Sequence, residues 1–105
     1  MTKFKIAMEN QRVNEVYPFI KQELDKTLVR NLIRVDCCQA WYFETEHYIV
    51  LQSYNTIVAA ISKDAYQGYD FLRKVYGYTA TSAKHISKFF HKFNPVSICT
   101  WRDTK

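Results

Sequence analysis

Three lysines recur at every fourth position in the stretch YGYTATSAKHISKFFHKFNP, residues 76–95. They are Lys84, Lys88 and Lys92, and no carboxylate accompanies them within this stretch. Side chains four residues apart lie on the same side of an α-helix, so the spacing predicts a basic ridge that faces water. Such a ridge is either a solvated helix face or a surface that binds a phosphate or an acidic protein.

Hydroxyl side chains precede this ridge, at the point where the helix is expected to begin. Free backbone N–H groups at a helix N-terminus, together with hydroxyls and an ammonium group, suit a phosphate oxygen. His85 is expected to add a further donor beside that end. The sequence therefore predicts a binding site for phosphate or for an acidic partner. Its candidate residues are Thr79, Thr81, Ser82, Lys84, His85, Lys88 and Lys92, with Arg73 and Lys74 upstream.

The basic charge of the chain is concentrated in its second half. Residues 1–52 contain seven Lys/Arg and seven Asp/Glu, whereas residues 53–105 contain eight and three, which accounts for the whole net charge of +5. Such an asymmetry favours a polyanionic partner. Solubility alone also explains a net charge of this size, so both interpretations stay open.

The sequence does not predict a catalytic centre or a metal site. His85 and His91 are six residues apart, which places them roughly 120° apart around a helix and makes a shared metal ion unfavourable. His47 falls in a separate turn. Two glycines in the whole chain leave no Gly-rich loop for cradling a phosphate. We therefore expect a non-catalytic protein without a cofactor.

The three cysteines do not suggest a disulfide framework. Their number is odd, Cys37 and Cys38 are adjacent, and Cys99 falls in an apolar strand pattern. Buried reduced thiols are the expected state, and a reducing compartment fits them. The first residues lack the apolar region of a signal peptide, and no apolar run approaches the ~20 residues of a membrane span. These features predict a cytoplasmic protein that does not contact a membrane.

Apolar periodicity predicts a strand and then a long helix in the first third of the chain. TKFKIAM alternates at Phe4, Ile6 and Met8, which is typical of a short edge strand. From Asn14, the expected N-cap, the period becomes helical, and Pro18 is tolerated in a first turn. The expected apolar stripe comprises Val16, Tyr17, Phe19, Ile20, Leu24, Leu28 and Leu32.

Strand chemistry dominates the middle of the chain. VDCCQAWYFE, YIVLQSY and TIVAAIS are rich in β-favouring residues, and the last two are predicted to form a hairpin around Tyr54-Asn55. Residues 63–69 are expected to form a loop. DFLRKVYGY is either a further strand or a short helix.

A second, basic and aromatic helix is predicted over residues 81–93. Asn94-Pro95 is its stop signal, and VSICTW after it is typical of a last strand. These elements predict one small α+β domain over residues 1–105, with an N-terminal helix, a mostly antiparallel sheet of about three to five strands and this second helix packed on it. The apolar positions of the second helix are Ile86, Phe89, Phe90 and Phe93.

Tyrosines cluster just before the second helix and are candidates for an exposed aromatic surface. A self-complementary patch of this kind would support a homodimer. The sequence therefore also allows a structural or dimerising module. The tyrosines are Tyr66, Tyr69, Tyr76 and Tyr78.

Two stretches together resemble a family of short, mostly uncharacterised proteins from phages, prophages and conjugative plasmids of Gram-positive bacteria. The pattern is an SYxTxVA strand pair followed by Y-[S/T]-x-T-[T/S]-x-K-H-I-x-x-F, and it covers about residues 48–93. The first part is matched by Ser53, Tyr54, Thr56, Val58 and Ala59. The second part is matched by Tyr78, Thr79, Thr81, Ser82, Lys84, His85, Ile86 and Phe89. The resemblance implies an accessory protein of a mobile element, inside a bacterial host cell.

This setting favours binding functions over catalysis. The first expectation is an inhibitor of a host defence system, similar to anti-CRISPR proteins, which contacts a nuclease effector or its guide RNA. The second is an accessory protein that binds nucleic acid directly through helix 81–93. Many anti-CRISPR proteins are acidic DNA mimics, and the basic charge of this chain disfavours that mechanism.

Overall fold

The computed structural model describes residues 3–36, 39–77 and 79–102. Within these ranges the chain forms three helices and one six-stranded sheet. The helices are α1 (Lys3–Lys26), α2 (Leu72–Val75) and α3 (Ala80–Phe93). The strands are β1 (Ile33–Arg34), β2 (Ala40–Glu44), β3 (Tyr48–Ser53), β4 (Thr56–Ser62), β5 (Gln67–Asp70) and β6 (Ser97–Thr100). The predicted α+β class is confirmed, with more strands than the sequence indicated.

The strands lie in the sheet in chain order, from β1 to β6. Neighbours from β1 to β5 are antiparallel, whereas β6 is parallel to β5. Parallel neighbours need a crossover connection, and α2 and α3 provide it because they lie between β5 and β6 in the chain. This crossover places α3 on one face of the sheet.

Both faces of the sheet are covered, which produces three layers. α3 packs on a cluster that includes Leu51 and Ile61, whereas α1 packs on a cluster that includes Val50 and Ala60. Neighbouring residues of a strand point to opposite faces, so β3 and β4 contribute to both cores. For this reason TIVAAIS is a continuous apolar run rather than an alternating one.

The predicted hairpin and the predicted second helix are confirmed. β3 and β4 pair around the turn Tyr54-Asn55, in which Tyr54 has the positive φ, 55°. α3 ends at Phe93, and the next residue, Asn94, adopts the left-handed conformation and donates its N–H to the carbonyl of Phe90. This is a common way of closing the last turn of a helix.

The prediction for the first third of the chain is wrong. Residues from Lys3 onward are helical, so Asn14 lies inside α1 rather than at its cap. The buried positions Asn10, Val13 and Ile20 follow helical spacing. The alternation of Phe4, Ile6 and Met8 is therefore coincidental, and its first and last residues are exposed.

The predicted stripe is also wrong at Phe19, Leu28 and Leu32, which are exposed, whereas Leu24 packs against the core. α1 ends at Lys26, and the Thr27 hydroxyl then donates to the Glu23 carbonyl at 2.7 Å. Leu28 lies beyond this end and is 91% exposed. Pro18 lies inside the helix on its exposed side, where water can satisfy the carbonyl that its missing N–H leaves unpaired.

Polar side chains fix α1 to the sheet at two places. The Asn10 amide donates to the Arg102 carbonyl at 2.7 Å and accepts from the Arg102 N–H at 2.9 Å. Further along, Glu23 accepts from the Thr45 hydroxyl at 2.6 Å and from the His47 N–H at 2.8 Å. These bonds connect α1 to the chain after β6 and to the β2–β3 turn.

The segment between β4 and α3 resolves the two alternatives that the sequence left open. Residues 63–66 form a turn, whereas Gln67–Asp70 pairs as β5, so the predicted loop over 63–69 is shorter than expected. Leu72–Val75 is a short helix, not a strand. The Asp70 carboxylate accepts from the Leu72 N–H at 3.1 Å and supports its first turn.

Candidate functional site

The three lysines of α3 lie on the exposed side of that helix. Lys84, Lys88 and Lys92 are all exposed, whereas Ile86 and Phe89 on the other side are buried in the core. The predicted orientation of the helix is therefore confirmed. We call the set Lys84, Lys88 and Lys92 the lysine face.

Two lysines of this face have neighbours that limit their freedom only weakly. Lys88 Nζ lies 3.3 Å from the Asp36 carboxylate, and both side chains are exposed. Lys92 Nζ lies 6.0 Å from the centre of the Tyr42 ring. An exposed ion pair contributes about 0–1 kcal/mol, so a phosphate can compete with Asp36 for Lys88.

A groove runs beside the carboxyl-terminal half of the lysine face. Its volume is about 440 Å³, and its lining combines two lysines with His91, Ser87, Val35 and Asp36. Its basic and hydroxyl groups could donate to an anion. Asp36 is the one carboxylate among the described residues of its lining, and that group is already paired with Lys88.

The start of α3 is capped from within the chain. Thr79 has an extended backbone, and its hydroxyl accepts a hydrogen bond from the Ser82 N–H at 3.2 Å. A threonine at this position is a favourable N-cap because it satisfies one of the N–H groups that the first turn leaves unpaired. The Thr79 hydroxyl is therefore committed to the helix.

A second cleft, of about 390 Å³, lies between the β3–β4 hairpin and the start of α3. We call it the hydroxyl cleft. The hairpin contributes Ser53, Tyr54, Asn55 and Thr56 to its lining. The other side contributes Tyr76, Thr79, Thr81 and Ser82. The SYNTIVA stretch and the YTATSAKHI stretch thus meet across one cleft.

A β-bulge forms part of this cleft. Leu51 pairs with Ala59, but the next residue, Gln52, pairs with Ile57. Val58 is therefore the extra residue on β4, and it lines the hydroxyl cleft. A bulge bends its strand and increases the local twist, which turns the hairpin tip relative to the rest of the sheet.

His85 lies beneath the hydroxyl cleft and is only 4% exposed. Its Nδ1 lies 2.8 Å from the Ser53 hydroxyl, which in turn lies 3.0 Å from the Ser82 hydroxyl. Burial lowers the pKa of His85, and the Lys88 ammonium lowers it further. The ring is thus a neutral link between the hairpin and α3. The prediction that His85 donates to a phosphate beside the start of the helix is corrected, because the ring is buried and its Nδ1 is bonded to Ser53.

Arg73 and Lys74 do not line the hydroxyl cleft or the groove beside the lysine face. Both belong to α2, where Lys74 Nζ lies 4.7 Å from the centre of the Trp101 ring. Arg73 lines a separate cleft together with Asp70 and Arg102. These two cations therefore belong to a different helix from the lysine face and line neither of the two cavities beside it.

Among the four tyrosines of the predicted aromatic surface, only one is exposed in the part of the chain that the structure describes. Tyr66 is half-buried and donates its hydroxyl to the Phe93 carbonyl. Tyr69 packs on the α1 side of the core, and burial raises its pKa. Tyr76 is 65% exposed, and Tyr78 lies outside the described residues. Tyr66 and Tyr69 are corrected to structural positions.

Metal and thiol chemistry has little support in the ranges that the structure covers. Within them no group of three or more His, Cys, Asp and Glu side chains could hold a metal ion. Cys99 is buried and free, whereas Cys37 and Cys38 lie outside the described residues. No helix in the described part of the chain is long and apolar enough to cross a membrane.

The sequence did not single out the hairpin side of the hydroxyl cleft as a candidate site. Ser53, Tyr54 and Thr56 all line it, and all three belong to the SYNTIVA stretch. The sequence feature that could have indicated this side of the cleft was the group of hydroxyl residues next to a predicted turn. What was missing was the tertiary contact between the hairpin and α3.

Comparison with known proteins gives one result. Residues 19–101 match a family of unknown function, DUF8033. No curated protein and no solved structure matches the chain. The match extends from the middle of α1 to just beyond β6, which is well over half of the 105 residues. The chain is therefore a member of the DUF8033 family.

Proposed function

We propose that this protein is a non-catalytic binding protein of a mobile element that inhibits a host defence nuclease by contacting its guide RNA. The observation that carries the proposal is the lysine face, in which Lys84, Lys88 and Lys92 are all exposed on one side of α3. The expected place of action is the cytoplasm of the bacterial host.

The geometry of α3 suits an extended polyanion. Eight residues separate Lys84 from Lys92, which corresponds to about 12 Å along a helix. Three ammonium groups thus follow one line, and the groove beside them adds His91 and Ser87. A polyanion that covers this line releases its counterions, which makes binding strongly dependent on salt.

The rigidity of the helix supports the same interpretation. The buried side of α3 is held by Ile86, Phe89 and Phe90, and both ends of the helix are capped. The lysine side chains are therefore presented from a fixed backbone. A surface of this kind can bind without folding first, so its affinity is not reduced by the ordering of a disordered segment.

Direct binding of nucleic acid, without a nuclease, is the second candidate. Its support is the uneven charge, since the second half of the chain carries the whole net charge of +5. The dimerising module has less support, because Tyr66 and Tyr69 are half-buried.

A salt-dependent titration tests the proposal. The protein and the double variant Lys84→Glu, Lys88→Glu are each titrated into labelled nucleic acids. The probes are single-stranded and double-stranded RNA and DNA, and guide RNA either alone or loaded in an RNA-guided nuclease. We expect the double variant to lose binding to guide RNA and inhibition of target cleavage. The salt dependence of any residual binding should be lower, by a slope of about 0.7–0.9 per lost phosphate contact.

The matched control is the double variant Lys21→Glu, Lys26→Glu. Both lysines are exposed on α1, so this variant has the same net charge as the α3 variant but a complete lysine face. It should retain most of the affinity. Equal losses of affinity in the two variants would mean that net charge, and not the lysine face, determines binding. Binding to free RNA without inhibition of any nuclease would favour the second candidate, and no binding at low salt would reject both.

A further inference from the structure

We infer that the hydroxyl cleft binds one unstacked nucleobase of the RNA strand whose phosphates lie along the lysine face. This inference rests on the proposed function and makes it more specific. The ligand class becomes single-stranded RNA, or an unpaired loop, rather than a duplex.

The first support is a pair of exposed tyrosine rings in the lining of the cleft. Tyr54 is 50% exposed and comes from the hairpin, whereas Tyr76 is 65% exposed and comes from the segment after α2. Two different elements thus bring an aromatic ring to one cleft. Aromatic side chains are the usual stacking partners of unpaired bases.

The second support is the chemistry of the other lining groups. They are the Asn55 amide, the serine and threonine hydroxyls and the apolar Val58, and no carboxylate, ammonium or guanidinium group belongs to the described lining. A neutral ligand is therefore favoured over an ion. A hydroxyl both donates and accepts, which matches the mixed donors and acceptors at the edge of a nucleobase.

The third support is the continuity of the cleft with the lysine face. Thr81 and Ser82, in the first turn of α3, line the cleft, and Lys84 follows on the exposed side of the same helix. A strand that runs along Lys92, Lys88 and Lys84 therefore arrives at the cleft. A base can enter it only if that base is not paired.

The cleft is also large enough and firmly held. Its volume of about 390 Å³ falls within the about 300–1,000 Å³ typical of sites for small ligands. The Ser53, Ser82 and His85 side chains join its two sides by hydrogen bonds at 3.0 and 2.8 Å. The hairpin and α3 therefore keep their spacing before a ligand binds.

The test compares three RNA probes of equal length at constant salt. They are an unpaired oligonucleotide, the same backbone with every base removed, and a fully paired duplex. The protein is compared with Tyr76→Ala, with Tyr76→Phe, which keeps the ring, and with Thr81→Val, which removes one hydroxyl and keeps the shape. Tyr76 and Thr81 are both exposed, so these variants should fold.

We expect the unpaired oligonucleotide to bind at least roughly tenfold more tightly than the abasic probe, a difference typical of one stacked base. Tyr76→Ala should remove that difference, Tyr76→Phe should retain it, and Thr81→Val should reduce it. None of the three should change binding of the duplex. Equal affinity for all three probes, with the lysine double variant still defective, would overturn the nucleobase site and leave the proposed function standing. No binding of any probe would overturn both.

Discussion

α1 and α3 cover opposite faces of the same sheet, but they are held there by different interactions. α3 is fixed by phenylalanines in the core and is capped at both ends by its own neighbours. α1 also buries apolar side chains, among them Val13 and Ile20, but it is attached in addition by polar bonds from Asn10 and Glu23 to distant parts of the chain. The difference indicates that local sequence specifies α3, whereas tertiary contacts specify the placement of α1.

Truncation of the α3 core should have the largest effect on stability. Phe89 is completely buried, and Phe89→Ala should lower the free energy of unfolding by about 3–5 kcal/mol, since it removes a large side chain and leaves a cavity. Chemical denaturation followed by circular dichroism measures this value. The control is Phe19→Ala on α1, because Phe19 is 60% exposed and should change stability little. Similar losses in both variants would contradict the comparison of the two helices.

Loss of a polar bond on α1 should have an intermediate effect. Asn10→Ala removes both hydrogen bonds to the Arg102 backbone, and it should lower the free energy of unfolding by about 1–3 kcal/mol because buried polar groups of the backbone lose their partner. Gln11→Ala, at the next and exposed position of α1, is the control. If both variants unfold at the same denaturant concentration as the parent protein, α1 does not depend on this bond.

The two described histidines with shifted pKa values should give opposite pH dependences. The His47 ring also bonds to the Glu23 carboxylate through its Nδ1, and this bond raises the pKa of His47 above its ordinary 6.5. The stabilisation of the fold by protonated His47 is therefore complete below pH 6.5 and is lost as the pH rises through the raised pKa. Burial lowers the pKa of His85 below 6.5. The contribution of His85 to the free energy of unfolding falls as the pH drops from 6.5 towards the lowered pKa, since the unfolded state then binds more protons than the folded state.

The histidine contributions together should give a maximum of stability near pH 6.5. Midpoints of denaturation are measured between about pH 5 and 8, the range in which histidines titrate. His47→Gln should flatten the alkaline side of the curve and leave the acidic side unchanged. His85→Asn should act on the acidic side alone. A change on the same side in both variants would show that the two rings do not have the opposite environments described above.

Reversal of the lysine face should have the smallest effect on stability. Lys84→Glu with Lys88→Glu removes an exposed ion pair with Asp36, so the free energy of unfolding should change by less than about 1 kcal/mol. The thermal midpoint, measured by calorimetry, checks this. A large loss of stability would mean that the lysine face contributes to the fold. The loss of binding in that variant would then be a consequence of unfolding.

The same comparison explains which features could be predicted from the sequence. α3 has an N-cap, a stop signal and apolar positions at helical spacing within its own segment, so its limits were predicted to within one residue. The first turns of α1 contain both an alternating apolar pattern, which is typical of a strand, and apolar positions at helical spacing. The buried Asn10, whose partner is Arg102, decides between them, and no local rule indicates that bond.

The candidate site follows the same division. The lysine face is a property of one helix and was predicted from its spacing. The hydroxyl cleft requires the β3–β4 hairpin to lie against α3, and the burial of His85 requires Ser53 and Ser82 as partners. The placement of Lys74 beside the Trp101 ring depends on a contact between α2 and the chain after β6. None of these contacts is encoded within a single segment.

The bond between Asn10 and Arg102 also bears on how the chain folds. It joins residues 92 positions apart, on the first described helix and just after the last described strand. Contacts of such long range close slowly. During translation Val13 and Ile20 can already pack on Val50 and Ala60 of the hairpin, whereas the bond at Asn10 forms only after the chain beyond β6 has been synthesised. Complete docking of α1 is therefore expected to be a late step, and a helix held at only one of its two polar attachments leaves the nascent chain more prone to aggregation until then.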